Sequence, residues 1–274
     1  QEPNIQETSG RSGAVATFQD LLKSPNDERL FEYYTTSQLA FISPDGRVTT
    51  IGEPAIYDTF SPSPDGRYIM VTRIKRPFSY LFPYSRFPRT VEIWDSTGKM
   101  VKQLADIPLQ DALPVQGVPT TPRSYGWIPT EPATLVWAEA LDGGDPRNKA
   151  EHRDKLMTLA APFSASPAEL VRTQHRYQGR AFGENDGLMM FYDYDRDTRH
   201  RRIFMTDYRN PKDVKMLSDL NVSDRYNEFG TPVFRTLPNG SNVIRQHGDY
   251  IFVTGSGASP EGDRPWRPQL PFSN

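Results

Sequence analysis

The run RIKRPFSYLFPYSRFPR, Arg73 to Arg89, sets Arg73, Lys75, Arg76, Arg86 and Arg89 among Phe78, Tyr80, Phe82, Tyr84 and Phe87, with three prolines stiffening it. A guanidinium offers paired N–H donors that match the two oxygens of a carboxylate, and neighbouring rings hold its plane. The run therefore suits recognition of an acidic group. It is also longer than an ordinary hairpin connection, and long ordered loops often carry function. A second reading stays open, in which the rings pack the loop onto the fold and the arginines face water.

Other chemistry finds less support. A serine hydrolase needs a nucleophile on a tight elbow, Gly-x-Ser-x-Gly, with a His and a carboxylate. The stretch TGSGASPEG has the residue types at the wrong spacing. His152, His175, His200 and His247 lie far apart, without metal-ligand spacing. LDGGDP, Leu141 to Pro146, lacks the alternating carboxylates of a calcium loop, and GSGASPEGD lacks the lysine of a phosphate-binding loop. Both read as turns. With no cysteine in the chain, disulfides, thiolate metal sites and a thiol nucleophile are excluded. No catalytic residue, cofactor or metal is predicted.

The elements that must carry the arginine loop are strands. In 274 residues, hydrophobic content is 36 %, aromatics reach 12 %, and 25 Pro and 19 Gly break the apolar residues into short segments. Mean hydropathy is −0.65. The formal net charge of −2 is spread along the chain, so neither nucleic acid nor an anionic membrane is an expected partner. No apolar run approaches the roughly 20 residues of a membrane span. The first residues lack the order of a signal peptide and an initiator Met, as in an excised piece of a longer protein.

Residues 1–16 read as a flexible leading segment. Phe18 to Tyr34 shows helical spacing and reads as two short turns interrupted at Ser24-Pro25. Hairpins follow one after another. The Ser-Pro-Asp-Gly-Arg turn occurs twice, in FISPDGRVTTI and FSPSPDGRYIMVTRI, with Asp and Gly where a tight turn needs a local hydrogen bond and a positive φ. Taken in pairs, the hairpins recur every 50 to 65 residues or so, the period of four-stranded propeller blades. An all-β fold is expected: a partial β-propeller of about four blades over 17–265, with a tail at 266–274. The blades fall near 57–104, 123–173, 179–218 and 231–265, and the hairpin at 38–51 reads as the outer half of a preceding blade. A β-sandwich is the competing all-β reading.

Several long strings carry a resemblance: TFQDLLKSPNDERLFEYYTTSQLAF, FSPSPDGRYIMVTRIKRPFSYLFPYSRFPRTVEIWD, PATLVWAEALDGGDP and GSGASPEGDRP. From about Pro3 to Pro265 the chain resembles the glutamyl endopeptidase branch of the prolyl oligopeptidase family. There, an N-terminal propeller covers a C-terminal α/β-hydrolase domain bearing a Ser, Asp, His triad. The resemblance covers part of the propeller only, so no triad residue carries over. The tail WRPQLPFSN departs from the strand expected after GSGASPEGDRP.

The resemblance implies a non-catalytic propeller portion of a serine endopeptidase, gating access and helping to select peptides. Arg76, Arg86 and Arg89 are then candidates to bind or steer an acidic substrate side chain. The implied partners are the hydrolase domain of the parent and peptide substrates, acidic ones included, and the implied setting is secreted or periplasmic in a bacterium. Unpaired propeller edges make self-association a further expectation. Two other functions fit the strand pattern: a stand-alone propeller that binds a peptide or protein, and a propeller lyase or glycosidase with carboxylates and His converging at the ring centre.

Overall fold

The computed structural model of the protein describes residues 18–185 and 187–272. The expected flexible segment at 1–16 and the last two residues of the tail lie outside the described residues.

Ser24 opens the single α-helix among the described residues, α1 (Pro25–Thr35). Its backbone is extended, its Oγ accepts from the Asp27 N–H, Pro25 follows directly, and Asp27 and Glu28 sit in the first turn. The two turns expected around Ser24-Pro25 are thus one helix that begins there. Proline is tolerated at the first helical position because its missing N–H has no intrahelical partner.

Most of the remaining structure is antiparallel sheet. The first sheet contains β1 (Thr36–Ile42), β2 (Val48–Pro62), β3 (Tyr68–Ile74), β4 (Arg89–Asp95) and β5 (Met100–Ile107), in chain order. The second contains β6 (Arg123–Trp127), β7 (Thr134–Ala140), β8 (Asp154–Ala160) and β9 (Ala168–Thr173), and the third β10 (Arg176–Phe182), β11 (Leu188–Asp195), β12 (His200–Asp207) and β13 (Lys215–Asn221). A more broken fourth unit has β14 (Thr231–Pro232), β15 (Phe234–Thr236), β16 (Asn242–Ile244), β17 (Gln246–His247), β18 (Tyr250–Thr254) and β19 (Gln269–Pro271). One five-stranded and two four-stranded meanders, followed by the broken fourth unit and with no closed barrel among the described residues, make this a partial propeller.

Two details differ from expectation. The hairpin at 38–51 is continuous with the next sheet, because β2 pairs β1 as far as Ile56 and pairs β3 from Ile56 onward. The register of β2 jumps between Ile51 and Ala55. Gly52 sits at that jump with φ +65°, and a Cβ there would lie 2.4 Å from the Trp94 ring, so only glycine lets the strand turn over the indole. At the other end, the tail is partly strand: β19 pairs β18, and Trp266 exchanges backbone hydrogen bonds with Gly255.

The central strands alternate between two cores. In β7, Leu135 and Trp137 pack with Met70, Val91 and Ile93 of the first sheet, while Val136 and Ala138 pack with Tyr177, Met189 and Phe191 of the third. In β11, Leu188 and Met190 turn instead toward Ile244, Ile251 and Val253 of the fourth unit. Burial on both faces explains the unbroken apolar runs TLVWA and LMMFY. Each sheet is thereby clamped between its neighbours.

Candidate functional site

The arginine loop joins β3 to β4 and packs against α1. Phe78 and Phe87 stack with centroids 5.2 Å apart, and Phe31 of α1 meets both edge-on at 5.1 and 5.8 Å. This aromatic wedge brings the helix to the loop, and the charges then pair across the seam. Arg76 donates from Nε and Nη2 to the two oxygens of Glu32, each at 2.7 Å, and from Nη1 to Glu28, with its guanidinium 4.7 Å from the Phe78 ring. The hydrogen bonds from Arg76 hold the Glu32 carboxyl below its ordinary range.

Arg89 donates to Asp58 Oδ2 at 2.6 Å, to Phe87 O at 3.2 Å and to Tyr84 O at 2.8 Å. Arg86 lies over the rings of Phe18 and Phe82, 5.3 and 5.1 Å from their centroids, and donates to Gln110 O at 3.5 Å. The three arginines named from sequence are therefore not gathered around one opening. Arg76 and Arg89 are bound to the protein's own carboxylates, and among the described residues only Arg86 of the three has none. The loop's geometry is that of a dock for α1.

A second cationic feature lies where the second, third and fourth units meet. A hollow of about 430 Å³ opens between β6, which contributes Ser124, Tyr125 and Trp127, and β10, which contributes Tyr177 and Arg180. Phe234 and Asn242 close it from the fourth unit. Arg180 reaches across to the second sheet, donating from Nη1 to Ser124 O and to the Tyr177 hydroxyl, both at 2.9 Å, and from Nη2 to Val136 O at 3.0 Å. Its path runs over Gly126, where a Cβ would stand 2.8 Å from Nη2. Ser124 adopts φ +56°, a left-handed turn of β6 that accompanies the break in its pairing with β7.

Tyr177 stands against the guanidinium, while the Tyr125 ring packs toward Trp137 in the core shared with the first sheet. Burial pushes the Tyr177 hydroxyl above its ordinary pKa against the opposing influence of Arg180, and burial pushes up Tyr125 as well, with Glu139 adding to it. The Tyr125 hydroxyl is buried and finds no hydrogen-bond partner among the described residues. Both are proton donors at neutral pH.

The start of β10 is set by buried charge. Asp154, wholly buried, accepts from the Tyr177 N–H at 2.7 Å and from Arg176 Nη1 at 2.8 Å, and pairs with Arg123 at 2.8 Å. Asp142 accepts from the Gly144 N–H at 3.0 Å and from Arg153 at 2.9 Å, and pairs also with Arg176. The acidic loop LDGGDP thus supplies a buried counter-charge. Nothing in its local spacing marks Asp142, since two of its partners, Arg153 and Arg176, come from later strands and their approaches. Arg180 was likewise missed, standing alone in GRAFGEN without a basic cluster around it.

Fold and site together define an all-β partial propeller with one self-paired arginine loop and one donor-lined hollow between blades. No protein-family model matches the chain. It is 38 % identical over 263 residues to a probable glutamyl endopeptidase, chloroplastic, of Oryza sativa subsp. japonica, and 35 % identical over 262 residues to the protein so named in Arabidopsis thaliana. The alignments cover 92 % of this chain but 28 % and 27 % of those proteins. The chain is a relative of the glutamyl endopeptidases, matching just over a quarter of their length.

Solved structures align more loosely. A putative dipeptidyl aminopeptidase IV from Bacteroides ovatus is 10 % identical with a TM-score of 0.47, covering 80 % of this chain and 29 % of that one. Uncomplexed acylaminoacyl peptidase from Pyrococcus horikoshii is 12 % identical at 0.44, covering 88 % and 42 %. At these scores they carry no functional weight. The bacterial, secreted or periplasmic setting expected from sequence is corrected by the curated relatives, which are plant proteins named as chloroplastic. Among the described residues, no helix is long and apolar enough to cross a membrane.

Proposed function

We propose that this chain is a non-catalytic propeller portion of a peptidase related to the glutamyl endopeptidases, and that it gates and selects the peptides reaching a catalytic domain elsewhere in the longer polypeptide. The observation that carries this reading is the identity of 38 % over nearly the whole chain, confined to 28 % of the relative's length. The architecture supports it in physical terms. Blades buried on both faces make a stiff frame, and a stiff frame with inter-blade hollows can sort chains by size and charge while contributing no reacting group.

The test is hydrolysis of a short glutamyl peptide, assayed with this chain and with the longer polypeptide containing it. Turnover by the longer polypeptide alone is expected. Turnover by this chain alone would overturn the assignment.

A further inference from the structure

We propose that the hollow between β6 and β10 is a binding site for a peptide carboxylate, with Arg180 as the anchoring cation. The inference deepens the peptidase reading, and its link to substrate selection rests on that reading.

Arg180 has five N–H donors, of which three meet Ser124 O, the Tyr177 hydroxyl and Val136 O. Its Nε–H and one hydrogen of Nη2 have no acceptor among the described residues. All three acceptors are neutral, and no described carboxylate lies within ion-pair distance of Arg180, whereas Arg76, Arg89, Arg123, Arg153, Arg176 and Arg202 each have one. The guanidinium is held in place from one side and keeps its charge uncompensated on the other.

The surroundings agree in sign. Among the described residues, no Asp or Glu lines the hollow. The Asn242 side chain stands in the wall contributed by the fourth unit. Asn242 Oδ1 accepts from Thr236 Oγ1 at 2.8 Å, which leaves its amide nitrogen as the free end. Phe234 and Tyr177 give the rest of the lining aromatic surface on which an aliphatic stem can rest. Free donors of Arg180 and Asn242 in a half-apolar hollow of about 430 Å³ suit a carboxylate on a short aliphatic stem, whether a side chain or a chain terminus.

The test is calorimetric titration of this chain with three probes: Ac-Ala-Glu-Ala-amide, Ac-Ala-Gln-Ala-amide, and Ac-Ala-Gln-Ala as the free acid. One or both carboxylate probes are expected to bind about tenfold more tightly than the neutral amide, the scale of one charge-assisted hydrogen bond. The stronger of the two identifies the source. Arg180→Met should abolish the preference. Because Arg180 also ties two sheets together, Asn242→Asp serves as the second variant. It keeps the acceptor for Thr236, adds a negative charge to the wall, and should weaken the carboxylate probe about tenfold, while Asn242→Ala keeps the preference.

Equal binding of all three probes, no binding by any, or a preference that survives Arg180→Met or Asn242→Asp would overturn the proposal. Its failure is separable from that of the peptidase reading. Carboxylate binding by this chain with no hydrolysis by the longer polypeptide would retain the site and remove the reading, and the reverse result would do the opposite.

Discussion

Asp154 shows how little of a site's charge can be seen in local sequence. It begins a plain apolar strand, DKLMTLA, yet its buried carboxylate joins Arg123 and Arg176 and caps the Tyr177 N–H that starts the strand bearing Arg180. Removing one member of such a group leaves the others buried and uncompensated. Asp154→Asn should therefore lower unfolding stability by about 3 kcal/mol, read from urea midpoints at unchanged slope. A loss typical of an exposed ion pair would show that the network is solvated. The arginine loop teaches the converse lesson. Its cations and rings were plain in sequence, but Glu28 and Glu32, 48 and 44 residues away from Arg76, could be assigned to it only once α1 was folded against Phe78 and Phe87.

Local elements were more legible because turn chemistry is short-range. In both Ser-Pro-Asp-Gly-Arg turns the serine hydroxyl donates to the aspartate, and the glycine N–H donates to the serine carbonyl at 2.8 Å. The second turn also reaches out of its own sheet, since the Asp65 N–H donates to Pro132 O at 3.0 Å. Gly66 has φ +71° with open space around it, so Gly66→Ala should cost about 1 kcal/mol through backbone strain alone, measured by thermal unfolding. An unchanged midpoint would mean that the turn relaxes. Inside the same sheet, Glu92 is buried in β4. Burial pushes its pKa up, but hydrogen bonds from Arg73, Thr90 and Trp94 and the charge of Arg73 outweigh it and hold the group below 4.5. A carboxyl lowered on folding contributes stability that is fully present above its unfolded value and disappears as pH falls through the folded one. Glu92→Gln should therefore cost most at neutral pH, and the gap to the wild type should narrow on acidification below 4.5. A gap independent of pH would assign the cost of the substitution to packing.

At the scale of the whole molecule, the spacing of apolar runs reveals a series of antiparallel meanders, because burial on both faces writes itself into each central strand. It did not show where the first sheet ends. The partner of β1 depends on the register jump at Gly52, and that jump exists because the Trp94 ring comes from two strands further along. One consequence is an edge. Among the described residues, β1 is bonded to β2 on one side only, and Ile42 and Val48 at the tip of the hairpin are 73 % and 61 % exposed. An unpaired strand carrying apolar side chains is a template for another strand, and this one has neither the lysines nor the prolines that blunt edges elsewhere. We propose that two copies of this chain associate through β1. Sedimentation velocity should show a sedimentation coefficient that rises with concentration for the wild type. Phe41→Lys combined with Ile42→Lys should hold the chain at the monomer value, because two cations brought face to face across a paired edge repel and lose their hydration. A wild-type coefficient independent of concentration would remove the edge as a site of association.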